Sequence, residues 1–347
     1  MEFTKITGTD LTPSRIGLGT WAIGGWMWGG SEEGESIKTI HVAIDLGITL
    51  VDTAPVYGFG RSEEIVGKAL ATDGRRNRVV IATKTGLDWR DGQPFRNASR
   101  KRIFTEVEES LRRLRTDHID IYQVHWPDPL TPIEECAEAM FALYRQGKIR
   151  AIGVSNFSRA QMHLFRRVAP IHTVQPPYNL FEREAEVEVL PYCLWHNVAA
   201  MVYGPICRGL LSGRMKPDTR FTGDDQRTTD PKFQQPRYGH YLRAVEQLDR
   251  FVRDNFGKRV IHLALRWALD QPGVSIALMG ARHPNQLDPI DKVMGWTLTN
   301  DAIREIDGIL RSIVTDPVGP EFMAPPVRPQ ATPEDGYAKS SVVDAQS

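Results

Sequence analysis

Residues 100–156 read RKRIFTEVEESLRRLRTDHIDIYQVHWPDPLTPIEECAEAMFALYRQGKIRAIGVSN, and the fold is decided by how this stretch changes its period. From 100 to 115 the apolar residues Ile103, Val107, Leu111 and Leu114 fall at spacings of four, four and three, a single buried helical stripe with charges elsewhere. IDIYQVH (119–125) is a short apolar run of strand type. PIEECAEAMFALYRQGK (132–148) is helical again: Thr131 precedes Pro132, Glu134 takes the capping-box position, and the pattern stops at Gly147. AIGVSN (151–156) is the next strand. Strands alternating with helices predict parallel strands joined by right-handed crossovers.

The same alternation extends in both directions. Strands are expected at IGLGTW (16–21), TLVDTA (49–54), VVIATK (79–84), TVQPPYN (173–179), AAMVYG (199–204) and SIALMG (275–280), with a helix-like ESIKTIHVAIDLG at 35–47. Eight such units match the ~250 residues of a closed barrel, whereas an open doubly wound sheet seldom repeats so often. The expected fold is therefore α/β, a (β/α)8 TIM barrel forming one domain over residues 1–330. A short hairpin is expected before Ile16, a long loop (208–239) after the seventh strand, and a proline-rich tail from about Thr315. The loop lies on the face where barrel active sites form, so it reads as a lid or clamp, or equally as a plain insertion. GPEFMAPPVRP (319–329) is placed across the barrel mouth, and 331–347 is expected to be disordered.

Composition narrows the class of partner. Among 347 residues, Lys plus Arg and Asp plus Glu each total 43, so no net charge draws the chain to nucleic acid or membrane, and a small molecule is the expected partner. Cys136, Cys193 and Cys207 are widely spaced without a Cys-x-x-Cys, which suggests neither a disulfide framework nor a thiolate zinc site. The start, MEFTKITGTD, lacks a secretory pattern, and no run approaches the ~18 apolar residues of a membrane span. A cytoplasmic location is expected, and the oligomeric state is left open.

The chemistry sits at the strand ends. Asp52 ends strand two, Tyr57 follows in its loop, Lys84 ends strand three and His125 ends strand four. Singly, each has a bland reading as a turn cap, surface aromatic or core histidine. Together they place a carboxylate, phenol, amine and imidazole at one mouth. A lysine beside a tyrosine stabilises phenolate and is expected to lower the phenol from its usual ~10, while Asp52 keeps the buried amine charged. Tyr57 can then donate a proton to an oxygen that His125 also hydrogen-bonds, which describes a carbonyl becoming an alcohol.

With those residues in view, the sequence resembles the aldo-keto reductase superfamily, in particular its bacterial reductases of short carbonyl compounds and sugars. The resemblance runs through GLGTW (17–21), VDTAPVYGFGRSEEIVGKAL (51–70), ATK (82–84), DIYQVHWPD (120–128), GKIRAIGVSNF (147–157), QPPYN (175–179) and MGARHPNQL (279–287). It implies an NAD(P)-dependent oxidoreductase acting on a carbonyl or alcohol, with Asp52, Tyr57, Lys84 and His125 as the catalytic tetrad. It implies no metal. It further implies that Ser155, Asn156 and Gln175 bind the nicotinamide carboxamide and that Tyr203 stacks on the ring. Thr20, Trp21 and Asp52 join the cofactor site. Gly204, Pro205, Ile206, Cys207, Arg208 and Gly209 resemble the pyrophosphate loop, and Gly280, Ala281, Arg282 and Gln286 fall at the adenosine end. The lysine–serine pair of many relatives is here Gly280 and Ala281, the usual arginine is Gln286 and the usual asparagine is Ile290. Arg282 is the remaining candidate for a 2′-phosphate, which favours NADPH over NADH.

Three other readings compete. Gly17, Gly19 and Ala22 fit G-x-G-x-x-A, but no long helix opens at Thr20 and no second strand ends in an acid about 20 residues on. His118, Asp120, His125 and Asp128 could suggest a metal hydrolase, yet positions 120 and 125 stand ~17 Å apart along a strand. A nucleotide-binding sensor on the same fold is the third. For the substrate, Trp21, Trp28, Trp89, Trp126 and Phe181 are the candidate walls, with Arg208 or the 208–239 loop as polar contacts. Trp21 and Trp28 belong to GTWAIGGWMWGG (19–30), expected to be a glycine-loosened loop at the mouth.

Overall fold

The computed structural model describes residues 1–328. Its centre is a closed barrel of eight parallel strands: β1 (Ile16–Gly19), β2 (Leu50–Asp52), β3 (Val80–Thr85), β4 (Ile119–Val124), β5 (Ile149–Ser155), β6 (Thr173–Gln175), β7 (Ala199–Tyr203) and β8 (Val274–Gly280). Each strand pairs with its sequence neighbour and β8 closes on β1, with Gly19 opposite both Asp52 and Gly280. All eight lie where the alternation of apolar runs predicts them, with ends shifted by up to four residues. The proposed tail at 331–347 lies outside the described residues.

Alternation along each strand builds two cores. Leu50, Ala82, Ile121, Ala151, Met201 and Ile276 face the barrel interior in one cluster, while Ile81, Tyr122, Ile152 and Val202 face the helix layer in another. The expected N-terminal hairpin is present: Thr4 N donates to Pro13 O and Ile6 N to Leu11 O, each at 3.0 Å. Ile6 and Leu11 join the interior cluster. The helix Arg100–Leu114 buries Ile103, Val107 and Leu114, as its stripe predicts, with Leu111 only partly buried.

Three local readings are corrected. Helix Ile133–Arg145 has Pro132 rather than Thr131 at its N-cap, and proline has no side-chain acceptor to cap it; the Thr131 hydroxyl donates to Asp128 Oδ2 at 2.7 Å. Residues 208–239 are not one irregular loop: short turns of 3-10 helix occupy Cys207–Ser212, Gln226–Thr228 and Pro231–Phe233, and a long helix already begins at Arg237. After β3 the chain forms an unanticipated antiparallel hairpin, Leu87–Arg90 against Gln93–Arg96. No helix among the described residues is long and apolar enough to cross a membrane.

Glycines serve two ends here: Gly25, Gly29 and Gly30 of the first loop take positive φ, with open space around Gly29 and Gly30, whereas Gly17 in β1 and Gly24 in the loop allow close packing. A Cβ on Gly17 would lie 2.7 Å from Leu278 Cδ2, so that glycine leaves room in the barrel wall. A Cβ on Gly24 would lie 2.6 Å from both C and O of Tyr57, so the first loop rests directly on the backbone of the second. The helix after Gly19 is the four-residue Trp21–Gly24, too short for a dinucleotide-fold phosphate site.

Candidate active site

The C-terminal ends of the strands open on a cavity of about 450 Å³. At its floor Lys84, fully buried, donates from Nζ to Asp52 Oδ2 at 2.7 Å, to Thr53 O at 2.9 Å and to Tyr57 OH at 3.2 Å. The other Asp52 oxygen accepts from Gln175 Nε2 at 2.8 Å, so the carboxylate is satisfied on both sides. His125 meets the Tyr57 ring edge-on at 5.8 Å, and the Trp21 ring stacks on the other side of Tyr57 at 5.7 Å. The structure thus brings Asp52, Tyr57, Lys84 and His125 together at one point of the mouth.

The electrostatics differ in one respect from expectation. Burial drives the Tyr57 phenol well above its ordinary value, and the Asp52 charge adds to this, so Lys84 does not pull the phenol down in this state. Desolvation, which the order of residues does not record, outweighs the neighbouring ammonium. Tyr57 therefore stands protonated. Burial also lowers Lys84, against the pull of Asp52. His125 is driven well below the usual imidazole range by burial and by Lys84, so it meets a ligand as a neutral hydrogen-bonding group.

Next to this floor, Ser155, Asn156, Gln175 and Tyr203 form one network. Ser155 Oγ donates to Gln175 O at 2.9 Å, Asn156 Nδ2 to His125 O at 3.0 Å, and Tyr203 OH to Asn156 Oδ1 at 3.0 Å. Asn156 takes a left-handed backbone, φ +60°, to reach both. Thr20, buried, donates from Oγ1 to Asp52 O at 2.9 Å and ties β1 to β2.

The far end of the cavity is lined by Gly204, Pro205, Ile206, Arg208, Gly209, Gly280, Ala281, Arg282 and Gln286. Two of the expected cofactor residues take other work. Cys207 is buried and does not line the cavity, because the chain turns left-handed at Cys207, Arg208 and Gly209 and carries the thiol inward. Arg208 spends its charge in a buried cluster, with Nε on Asp230 and Nη2 on Glu182, both at 2.6 Å, and Lys232 also on Glu182 at 2.8 Å. It is therefore not a free polar contact for substrate. Gln286 Oε1 accepts from the Arg282 amide at 2.8 Å and closes its own turn. Arg282 Nη1 donates to Trp28 O at 2.6 Å and Gly30 O at 2.8 Å, while among the described residues Nε and Nη2 have no partner.

The aromatic walls divide. Trp21, Trp28 and Trp126 line the cavity, and so does Trp26. Trp89 does not: the unforeseen hairpin turns it onto Phe59 at 5.6 Å and under Arg102 at 5.3 Å. Phe181 is a core residue, packed on Tyr241 at 4.8 Å. Sequence reasoning missed Met27 and Val56 in the loops after β1 and β2 and Leu87, Gln93 and Pro94 on the unforeseen hairpin, all of which line the cavity, while Arg227 lines it from the 208–239 loop expected to supply polar contacts. Phe322, Met323, Pro325 and Pro326 also line it, so the 319–329 segment does reach the mouth in its described part. Asp224 accepts from Met27 N at 2.9 Å and Gly29 N at 3.0 Å, so the loop after β7 clasps the tryptophan loop as a clamp.

The competing metal reading loses its ligands to other partners. Asp120 sits between Arg76 at 2.9 Å and Arg150 at 2.8 Å at the opposite end of β4, and Asp128 accepts from Ala98 N and Leu130 N.

The sequence profile of the Aldo/keto reductase family matches residues 15–311. Aldo-keto reductase YhdN of Bacillus subtilis is 61% identical over 94% of this chain and 99% of its own length. The NADH-specific methylglyoxal reductase of Escherichia coli is 36% identical over 83% of this chain and 91% of its own. The solved structure of the glycerol dehydrogenase AKR11B4 from Gluconobacter oxydans superposes with a TM-score of 0.85 at 50% identity, covering 93% of this chain and 99% of that one. With the barrel, the family match and these relatives in agreement, the chain belongs to the aldo/keto reductase family of nicotinamide-dependent oxidoreductases.

Proposed function

We propose that the protein reduces aldehydes or ketones, short sugars such as glyceraldehyde among them, to alcohols, with Tyr57 as the general acid. The observation that carries this reading is the buried contact of Lys84 Nζ with Tyr57 OH at 3.2 Å and Asp52 at 2.7 Å. A carbonyl oxygen set between the Tyr57 hydroxyl and the neutral His125 ring takes a proton from the phenol, and Lys84 steadies the phenolate left behind. Asp52 holds Lys84 charged. A nicotinamide cofactor supplies the hydride when bound. Ser155, Asn156 and Gln175 would hold its carboxamide, Tyr203 its ring, the turn at Gly204, Pro205, Ile206 and Gly209 its pyrophosphate, and Arg282 its far end.

The Tyr57→Phe variant tests the reading. It should retain cofactor binding, followed by quenching of tryptophan fluorescence, and lose most carbonyl reduction. Near-normal turnover would refute it. Simple aldehydes also separate this reading from a nucleotide-binding sensor, which would bind cofactor and turn over none of them.

Arg282 supports NADPH as the cofactor. Its Nη1 is anchored on Trp28 O and Gly30 O, while among the described residues Nε and Nη2 have no partner, and a guanidinium edge of that kind can bind phosphate bidentately. NADH is the second reading, favoured by the missing lysine–serine pair and by the Escherichia coli relative described as NADH-specific. Michaelis constants for the two cofactors decide between them, and equal values would sink the preference for NADPH. The relatives described as a methylglyoxal reductase and a glycerol dehydrogenase support a three-carbon carbonyl or polyol as substrate. The three free, buried cysteines suit a reducing cytoplasm.

A further inference from the structure

We propose that Glu106, acting through Thr85, is a positioning residue for the proton-transfer set: a carboxylate outside the barrel wall that holds the end of β3 in place. This rests on the reading of Tyr57, Lys84 and His125 given above. Lys84 points into the barrel, so its neighbours Thr83 and Thr85 point outward, into the layer between sheet and helices. A hydroxyl there must find a partner. Thr85 Oγ1 donates to Glu106 Oε2 at 2.8 Å, and the same oxygen accepts from Gly86 N at 3.1 Å. Glu106 Oε1 accepts from Arg102 Nη2 at 2.6 Å, and Arg102 Nε reaches Leu87 O at 3.3 Å. Positions 85, 86 and 87 are thereby all fixed from one helix.

The tether reaches two members of the set. Lys84 is bonded directly to Thr85 in the chain, and the Thr85 carbonyl accepts the backbone amide of His125 at 2.8 Å. A second brace flanks Lys84 on its other side: Thr83 Oγ1 donates to Glu63 Oε1 at 2.6 Å, and Arg113 Nε holds Glu63 Oε2 at 2.7 Å. Glu63 stands on the helix that follows the Tyr57 loop, whose Ser62 N donates to Tyr57 O at 3.1 Å. Glu63 and Glu106 are both essentially without solvent contact. Burying a carboxylate with its arginine is often no better for stability than apolar residues of the same volume. What the carboxylate adds is direction: its hydrogen bonds fix the strand end along and about its axis, which apolar contact does not.

The test uses full-length Thr85→Val, Thr85→Ser, Glu106→Gln and Tyr57→Phe proteins, with steady-state kinetics on a short aldehyde, cofactor binding and thermal melting. Thr85→Val keeps the side-chain volume and should lower kcat at least tenfold, with the cofactor Kd and the aldehyde KM within twofold of the parent. Thr85→Ser, which restores the hydroxyl, should return kcat to within threefold. Glu106→Gln should reproduce the kcat loss in assays above about pH 7, where Glu106 is a carboxylate, and serves alone there if Thr85→Val does not fold. A Thr85→Val kcat within twofold of the parent overturns the proposal, as does a loss in which kcat and both binding constants fall together and serine restores nothing. If Tyr57→Phe retains turnover, the proton-transfer reading itself fails. If Tyr57→Phe is inactive while Thr85→Val is normal, only the brace fails.

Discussion

Substituting Gly24 by alanine perturbs the reacting centre without touching any group that reacts. The added Cβ would lie 2.6 Å from Tyr57 C and from Tyr57 O, and 3.0 Å from Gly58 N. All three are backbone atoms, so no flexible side chain can swing clear. Ordinary contact begins at 3.4 Å, so either the Tyr57 loop or the short helix bearing Trp21 must yield by about 0.8 Å. Both carry part of the site: Tyr57 OH is 3.2 Å from Lys84 Nζ, and the Trp21 ring stacks on Tyr57 at 5.7 Å. Overpacking of this kind costs ~1–3 kcal/mol of stability. A displacement near 1 Å of a positioned group costs on the order of 10²-fold in rate. Gly24→Ala should therefore lower kcat for aldehyde reduction by roughly 10- to 100-fold. Cofactor affinity, read by tryptophan quenching, should change little, because Ser155 and Gln175 sit on other strands and Asn156 directly follows one of them. Gly308→Ala is the control: its Cβ would meet nothing within 4 Å, and it lies in the interior of helix Asn300–Ile313, where alanine is the better residue. A Gly24→Ala enzyme with kcat within threefold of the parent would refute the reasoning.

Trp28 meets Trp21 edge-on at 5.8 Å and lies under Arg227 at 5.2 Å, so Trp28→Ala should widen the mouth and raise the relative kcat/KM for branched or aromatic aldehydes with cofactor affinity retained. Loss of cofactor affinity with an unchanged aldehyde ranking would make the ring a scaffold element instead. Burial pushes the Glu106 carboxyl from its ordinary 4.5 up to about 7, against the pull of Arg102. A raised carboxyl stabilises the fold below its unfolded value, and that contribution is lost as pH rises through the folded one. Between about pH 4.5 and 7 the parent should therefore lose about 3 kcal/mol relative to Glu106→Gln, measured by denaturant unfolding at a series of pH values. A difference that runs the other way, or none, would contradict this.

Much of the site was legible because β/α alternation is a local signal. A strand's inward face and its C-terminal end follow from period alone, so Asp52, Lys84 and His125 could be aimed at one mouth from the order of residues, and Tyr57 with them from its nearness to β2. The tryptophans at 21 and 28 followed from the same logic. Where a residue left the strands, the signal weakened. Trp89 was misplaced because the hairpin at 87–96 turns it onto Phe59, and Phe181 because the bend after β6 carries it into the core.

The sequence by itself determined the barrel, the family and the set of groups at the strand ends, since each rests on a period or a motif within a few dozen residues. The tertiary structure alone decided what those groups can do. Desolvation at the floor sets Tyr57 high and His125 low, against the simple count of neighbouring charges. Arg208 looked free in the chain, but Asp230 and Glu182 hold it from 22 and 26 residues away. Burial and charge pairing depend on distances through space between segments far apart in the chain, and no local pattern records those distances.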